Sequence, residues 1–138
     1  MSRIIRLVRT LFRPAVAASP QIDGIVVCAG DSMDPTLKFG QRVRVRPAAR
    51  IRAGDVVVFT TASPDIHVIH RVMFKAPFVP WFVHKGDAAG AQAALASTLR
   101  IVGLADLPRR PPSVEEWLDG VVRFTATAWQ AVTRRDPS

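Results

Sequence analysis

The hydrophobic and polar positions of the chain change period twice. At about 100° per residue, Ile4, Ile5, Leu7, Val8, Leu11 and Phe12 fall on one side of a helix, with Arg3, Arg6, Arg9, Thr10 and Arg13 on the other. Beyond Pro20 the helical period is replaced by short runs rich in β-branched and aromatic residues: Gly24–Ala29, Arg42–Arg46, Asp55–Thr60, His67–Phe74, Trp81–His84 and Arg100–Leu104. Gln41-Arg42-Val43-Arg44-Val45-Arg46 is the clearest, with valines on one face and arginines on the other. Phe39-Gly40, Ala53-Gly54-Asp55, Ser63-Pro64-Asp65 and Gly86-Asp87 separate the runs as turns, and Ala88–Thr98 reads as a small-residue loop or short helix. After Pro111-Pro112 the helical period returns. Ser113 and Glu116 form a capping box, and Val114, Trp117, Leu118, Val121, Thr125, Ala128, Trp129 and Val132 follow at helical spacing. The expected architecture is mainly β: a compact antiparallel β domain (21–110) between a basic amphipathic N-terminal helix (1–20) and a C-terminal amphipathic helix and tail (111–138).

Composition narrows the class. A chain of 138 residues fits one domain, and its 49% hydrophobic and 22% charged residues are ordinary for a folded one. The single Cys28 lies in an apolar run and reads as a small core residue; with no partner it forms no internal disulfide. One Cys and three His give no Cys-rich metal set, so metal binding has little support in the composition. The net charge of +8 suits nucleic acid or an anionic membrane. Its arginines crowd the first thirteen residues, Gln41–Arg52 and Pro108–Arg110, without the interleaved aromatics of a base-stacking surface, so membrane contact is favoured over nucleic acid.

No stretch reaches the ~18–20 apolar residues of a membrane span. Arg6, Arg9 and Arg13 also interrupt the ~7–15-residue apolar segment that a secretory leader needs. The expectation is therefore a cytoplasmic protein, peripheral at the inner face of the membrane through residues 1–13. A helix packed on its own domain is the alternative.

Chemistry concentrates in Gly30-Asp31-Ser32-Met33-Asp34-Pro35-Thr36-Leu37, which follows a strand and ends in a turn. Pro35 restricts the backbone around Asp34, so Ser32 sits on a held loop. A serine hydroxyl becomes a useful nucleophile only with a base in hydrogen-bond reach and N–H groups to receive the oxyanion. Ile69-His70-Arg71-Val72 and His84-Lys85-Gly86-Asp87 supply histidines and a carboxylate further along. The order is Ser, His, Asp with strands between; spacing alone leaves open whether the sheet brings them together.

Five segments carry a resemblance: Ser32-Met33-Asp34-Pro35-Thr36-Leu37, Gly54-Asp55-Val56-Val57-Val58-Phe59, Ile69-His70-Arg71-Val72, Lys85-Gly86-Asp87 and Ile101-Val102-Gly103. In this order, over roughly residues 24–104, the chain resembles the signal peptidase and repressor-autoprotease superfamily of serine peptidases. Many members use a lysine base. In the archaeal and endoplasmic-reticulum-like branch a histidine in a His-Arg-Val segment replaces it. The resemblance thus implies Ser32 as nucleophile, His70 as base, Asp87 as orienting carboxylate and Met33 as a residue lining the substrate cleft. His67 competes as base, Lys85 belongs to the structural turn, and His84 reads as a polar strand residue. The branch pattern usually carries a further aspartate, which Ala88–Thr98 lacks. The implied function is a serine endopeptidase that cleaves a peptide precursor or leader and needs no metal or organic cofactor, with a partner subunit as an alternative anchor. The rival reading is a catalytically silent protein of the same fold that binds a peptide or partner protein.

Overall fold

A computed structural model describes residues 19–63 and 66–133. The expected N-terminal helix and its membrane contact lie outside the described residues. Seven strands are present among the described residues: β1 (Gly24–Val27), β2 (Arg42–Arg46), β3 (Val56–Thr60), β4 (His67–Lys75), β5 (Trp81–Lys85), β6 (Ala94–Ser97) and β7 (Ile101–Ala105). Helix α1 (Val114–Thr133) follows. Every strand pairing is antiparallel, in the order β1-β2-β7-β3-β4-β5-β6. The mainly β antiparallel architecture expected from the patterning is the one observed.

Burial explains the two kinds of strand pattern. In β2 the valines are buried and the arginines exposed, because one face of that strand meets the core. In β3 the continuous run Val56-Val57-Val58-Phe59 is buried on both faces. Val56 and Val58 join Cys28, Met33, Leu37, Val43, Val45, Val102 and Ala105 in one core. Val57 and Phe59 join Ile51, Val72, Phe82 and Ile101 in another. The strand between two apolar clusters carries no alternation because neither of its faces is wet.

Two elements depart from the sequence reading. Residues 94–97, expected in a loop or short helix, form β6, paired from Trp81↔Ser97 to His84↔Ala94. Alanine has little intrinsic strand preference, but the free edge of β5 supplies the ladder. The capping box of α1 is formed: the Ser113 N–H donates to Glu116 Oε2 at 2.9 Å, and the Glu116 N–H to Ser113 Oγ at 3.2 Å. The buried side of α1 is rotated from the expected stripe. Trp117 and Phe124 pack their rings against Phe74 of β4, and Gly120, buried between them, lets the helix approach Met73 and Phe74. Val114, Leu118, Val122 and Trp129 stay exposed. Among the described residues no helix is long and apolar enough to cross a membrane.

Candidate active site

The loop between β1 and β2 carries Ser32. Its base is closed by the Cys28 N–H on Gln41 O (2.8 Å) and the Gly40 N–H on Cys28 O (2.7 Å). Gly40 sits at φ 81°, a left-handed conformation that favours glycine. Inside the loop the Asp34 N–H donates to Asp31 O (3.0 Å) and the Leu37 N–H to Met33 O (3.0 Å). Met33 and Leu37 are buried in the first core and pin the loop from below, while Ser32 stays exposed. The Asp34–Pro35 peptide is cis. Cys28 is buried, as its apolar run implies, and its Sγ donates to Gly30 O at 3.2 Å.

The turn after β5 clamps this loop. The Ala88 N–H donates to Ser32 O at 2.9 Å. Gly86 lies so close to the Ser32 carbonyl that no Cβ could be accommodated there without displacement. Asp87 ties the same turn to two other segments. Its Oδ2 accepts from Thr36 Oγ1 (2.6 Å) and Arg71 Nη2 (2.7 Å), and its Oδ1 accepts from Arg71 Nε (2.9 Å). Arg71, 2% exposed, also donates through Nη1 to Gly54 O (2.7 Å) and Pro108 O (3.1 Å). Burial alone would raise the Asp87 pKa. The hydrogen bonds from Arg71 and Thr36, with the charges of Arg71 and Arg110, hold it below its ordinary value. A two-pronged guanidinium–carboxylate pair of this kind fixes orientation as well as charge.

The opposite wall of the site comes from β4 and β5. His70 pairs in register with Val57, and its Nε2 stands 3.1 Å from Ser32 Oγ. His84 is in register with Val72, which places it diagonally from His70 across neighbouring strands. The two Nδ1 atoms are 2.9 Å apart. Phe59 backs both rings, at centroid distances of 6.3 Å from His70 and 4.6 Å from His84. Burial lowers the His70 pKa from its ordinary 6.5, opposed by the Asp87 charge. His84, more deeply enclosed, is pushed down to about 4 by burial and by the neighbouring His70.

A cleft of about 620 Å³ opens beside the pair, lined by Val26–Gly30, Ser32, Met33 and residues 66–70. Met33 therefore faces the cleft although it is 1% exposed.

The sequence-derived residues are thus distributed unequally. Ser32 and His70 are brought into hydrogen-bond distance. Asp87 is not hydrogen-bonded to His70; its oxygens are committed to Arg71 and Thr36, and it reaches the imidazole only through its charge. The orienting position expected for a carboxylate holds His84 instead. His67 stands three residues before His70 and is exposed; it lines the cleft without a hydrogen bond to Ser32. Among the described residues Lys85 makes no hydrogen bond or ion pair with Ser32. Thr36 and Arg71 sit inside the quoted motifs, but their common partner becomes visible only when β4 and β5 are paired. The one sign of His84 in the sequence is its place on a strand next to the Lys-Gly-Asp turn.

Comparison with known proteins gives two matches. The Peptidase S24-like family matches residues 5–77. The signal peptidase complex catalytic subunit SEC11 of Ajellomyces dermatitidis (strain ER-3 / ATCC MYA-2586) is 33% identical over 84 residues. That alignment covers 59% of this chain and 41% of the fungal protein, so the chain spans less than half the length of that relative. No solved structure matches.

Proposed function

The chain belongs to the Peptidase S24-like family, and from that premise we propose that it is a serine endopeptidase of signal-peptidase type acting on a peptide precursor or leader. The observation that carries the reading is the 3.1 Å approach of Ser32 Oγ to His70 Nε2 at the edge of an open cleft. Similarity to a signal peptidase catalytic subunit supports the same substrate class.

In this mechanism His70 Nε2 takes the Ser32 hydroxyl proton as Oγ bonds to the scissile carbonyl carbon, and the carbonyl π pair moves to oxygen. The Ser32 N–H, which has no acceptor among the described residues, donates to that oxyanion. Collapse of the tetrahedral intermediate expels the amine, which receives the proton from His70. Water, deprotonated by the same nitrogen, then releases the acyl group and restores the serine. Strand β1 is an edge of the sheet, and its Val26 and Val27 line the cleft. An extended substrate is proposed to lie along it as an added strand.

Labelling with a fluorophosphonate tests this directly. Wild-type protein should be modified on Ser32. Ser32→Ala should show no labelling, and His70→Ala a rate at least about 100-fold lower, within the usual range for loss of a general base. Absence of labelling in folded wild type would favour the silent peptide-binding alternative. Undiminished labelling of Ser32→Ala would remove the nucleophile assignment.

A further inference from the structure

The contact between the two imidazoles has a direction. A hydrogen bond between two Nδ1 atoms needs one proton between them. With that proton on His84, a neutral His70 would carry its own on Nε2 and present Ser32 with a donor. With the proton on His70 Nδ1, its Nε2 lone pair faces the serine hydroxyl 3.1 Å away. The second arrangement also survives catalysis unchanged: once His70 has taken the serine proton, its Nδ1 still donates and His84 still accepts. Burial keeps His84 neutral down to about pH 4, so its acceptor lone pair is retained in the range where His70 works. Phe59 and Phe82 hold the His84 ring at centroid distances of 4.6 and 5.7 Å, leaving it little freedom to turn away. Asp87, the obvious competitor for this role, has both oxygens engaged by Arg71 and Thr36.

We propose that His84 is the positioning residue of the base: it accepts the His70 Nδ1–H at 2.9 Å and holds Nε2 open toward Ser32. The site is then a serine–histidine–histidine relay in which a neutral ring stands where an acidic group would be expected. This assignment rests on the Ser32–His70 reading above, and the two fail separately.

The variants are His84→Phe, which keeps an aromatic ring between Phe59 and Phe82 but has no acceptor, and His84→Asn, whose Oδ1 replaces Nδ1 as acceptor. Fluorophosphonate labelling of His84→Phe should show a maximal rate at least about 10-fold below wild type at unchanged half-saturating concentration, a share of the roughly 10²–10⁴-fold that a positioned general base contributes. His84→Asn should recover most of that rate. Equal rates in all three folded proteins would overturn the role of His84 and leave Ser32–His70 standing. Loss of labelling already in wild type would count against the peptidase reading itself. Nitrogen NMR of the wild-type imidazoles decides the tautomer without any variant. His70 should show a protonated Nδ1 and a bare Nε2 at neutral pH; the reverse assignment overturns the proposal even if His84→Phe does not fold.

Discussion

At the scale of single residues the site is two polar contacts laid end to end, Ser32 to His70 and His70 to His84. A histidine base works only while neutral, and burial favours the neutral form. At His70 burial is the larger influence and lowers the pKa; the raising effect of Asp87 is blunted because Arg71 neutralises that carboxylate at 2.7 Å. The acid limb of the rate profile should therefore be half-maximal below pH 6.5, the ordinary histidine value. Measured as the fluorophosphonate labelling rate of Ser32 between pH 4.5 and 8, roughly spanning the histidine range, more than half of the plateau should remain at that pH. A midpoint above it would mean that His70 behaves as though paired with an uncompensated carboxylate.

At the scale of elements, the Lys-Gly-Asp turn after β5 acts as a clamp on the nucleophile loop. Gly86 permits the close approach, the Ala88 N–H holds Ser32 O, and Asp87 joins Thr36 to Arg71. Gly86→Ala would force a methyl group onto the Ser32 carbonyl and shift the backbone that aims Oγ. Overpacking of this kind costs about 1–3 kcal/mol, and a 1 Å misplacement at a reacting atom can lower a rate about 100-fold. Gly86→Ala should thus lose labelling by at least about tenfold while remaining folded by circular dichroism; near-wild-type labelling would show that the clamp does not set the serine position. Gly24 is the internal control, since nothing lies within 4 Å of a Cβ built there and its backbone is not left-handed. The motif residues were readable in the sequence, but the job of Asp87 was not. Arg71 and Asp87 are 16 positions apart, and only the register Arg71↔Lys85 brings the guanidinium beside the carboxylate. His84 is hidden for the same reason, since a diagonal contact between strands has no period along the chain. Local features such as the β2 alternation and the Ser113–Glu116 box were legible because the residues that make them are close in sequence.

At the scale of the whole molecule, the fold was legible where burial is one-sided or complete, as in β2 and β3, and illegible where a neighbour decides. Strand β6 exists because β5 offers an edge, and α1 turns Phe124 inward because Phe74 is there to meet it. The same enclosure makes stability depend on acid. His84 has a folded pKa of about 4 against an ordinary value of 6.5, so between those values the unfolded chain binds the proton and the folded one resists it. The sign is fixed: stability is full above the unfolded value and declines as pH falls from about 6.5 toward 4, by about 3 kcal/mol in total. His70, lowered in the same direction, adds to the decline. Asp87 acts next. Its folded value is depressed, so its contribution is present above its unfolded value of 3.8 and disappears as pH falls through the folded one. Urea midpoints should accordingly fall in two stages, one above about pH 4 and one below it. In His84→Phe the first stage should shrink to the part owed to His70, whereas the second should be unchanged, because the Arg71–Asp87 pair lies outside the imidazole contact. A wild-type midpoint that stays level from pH 7 to 4.5 would show that His84 accepts a proton as readily in the folded chain as in the unfolded one. The enclosed neutral ring on which its positioning role depends would then be absent.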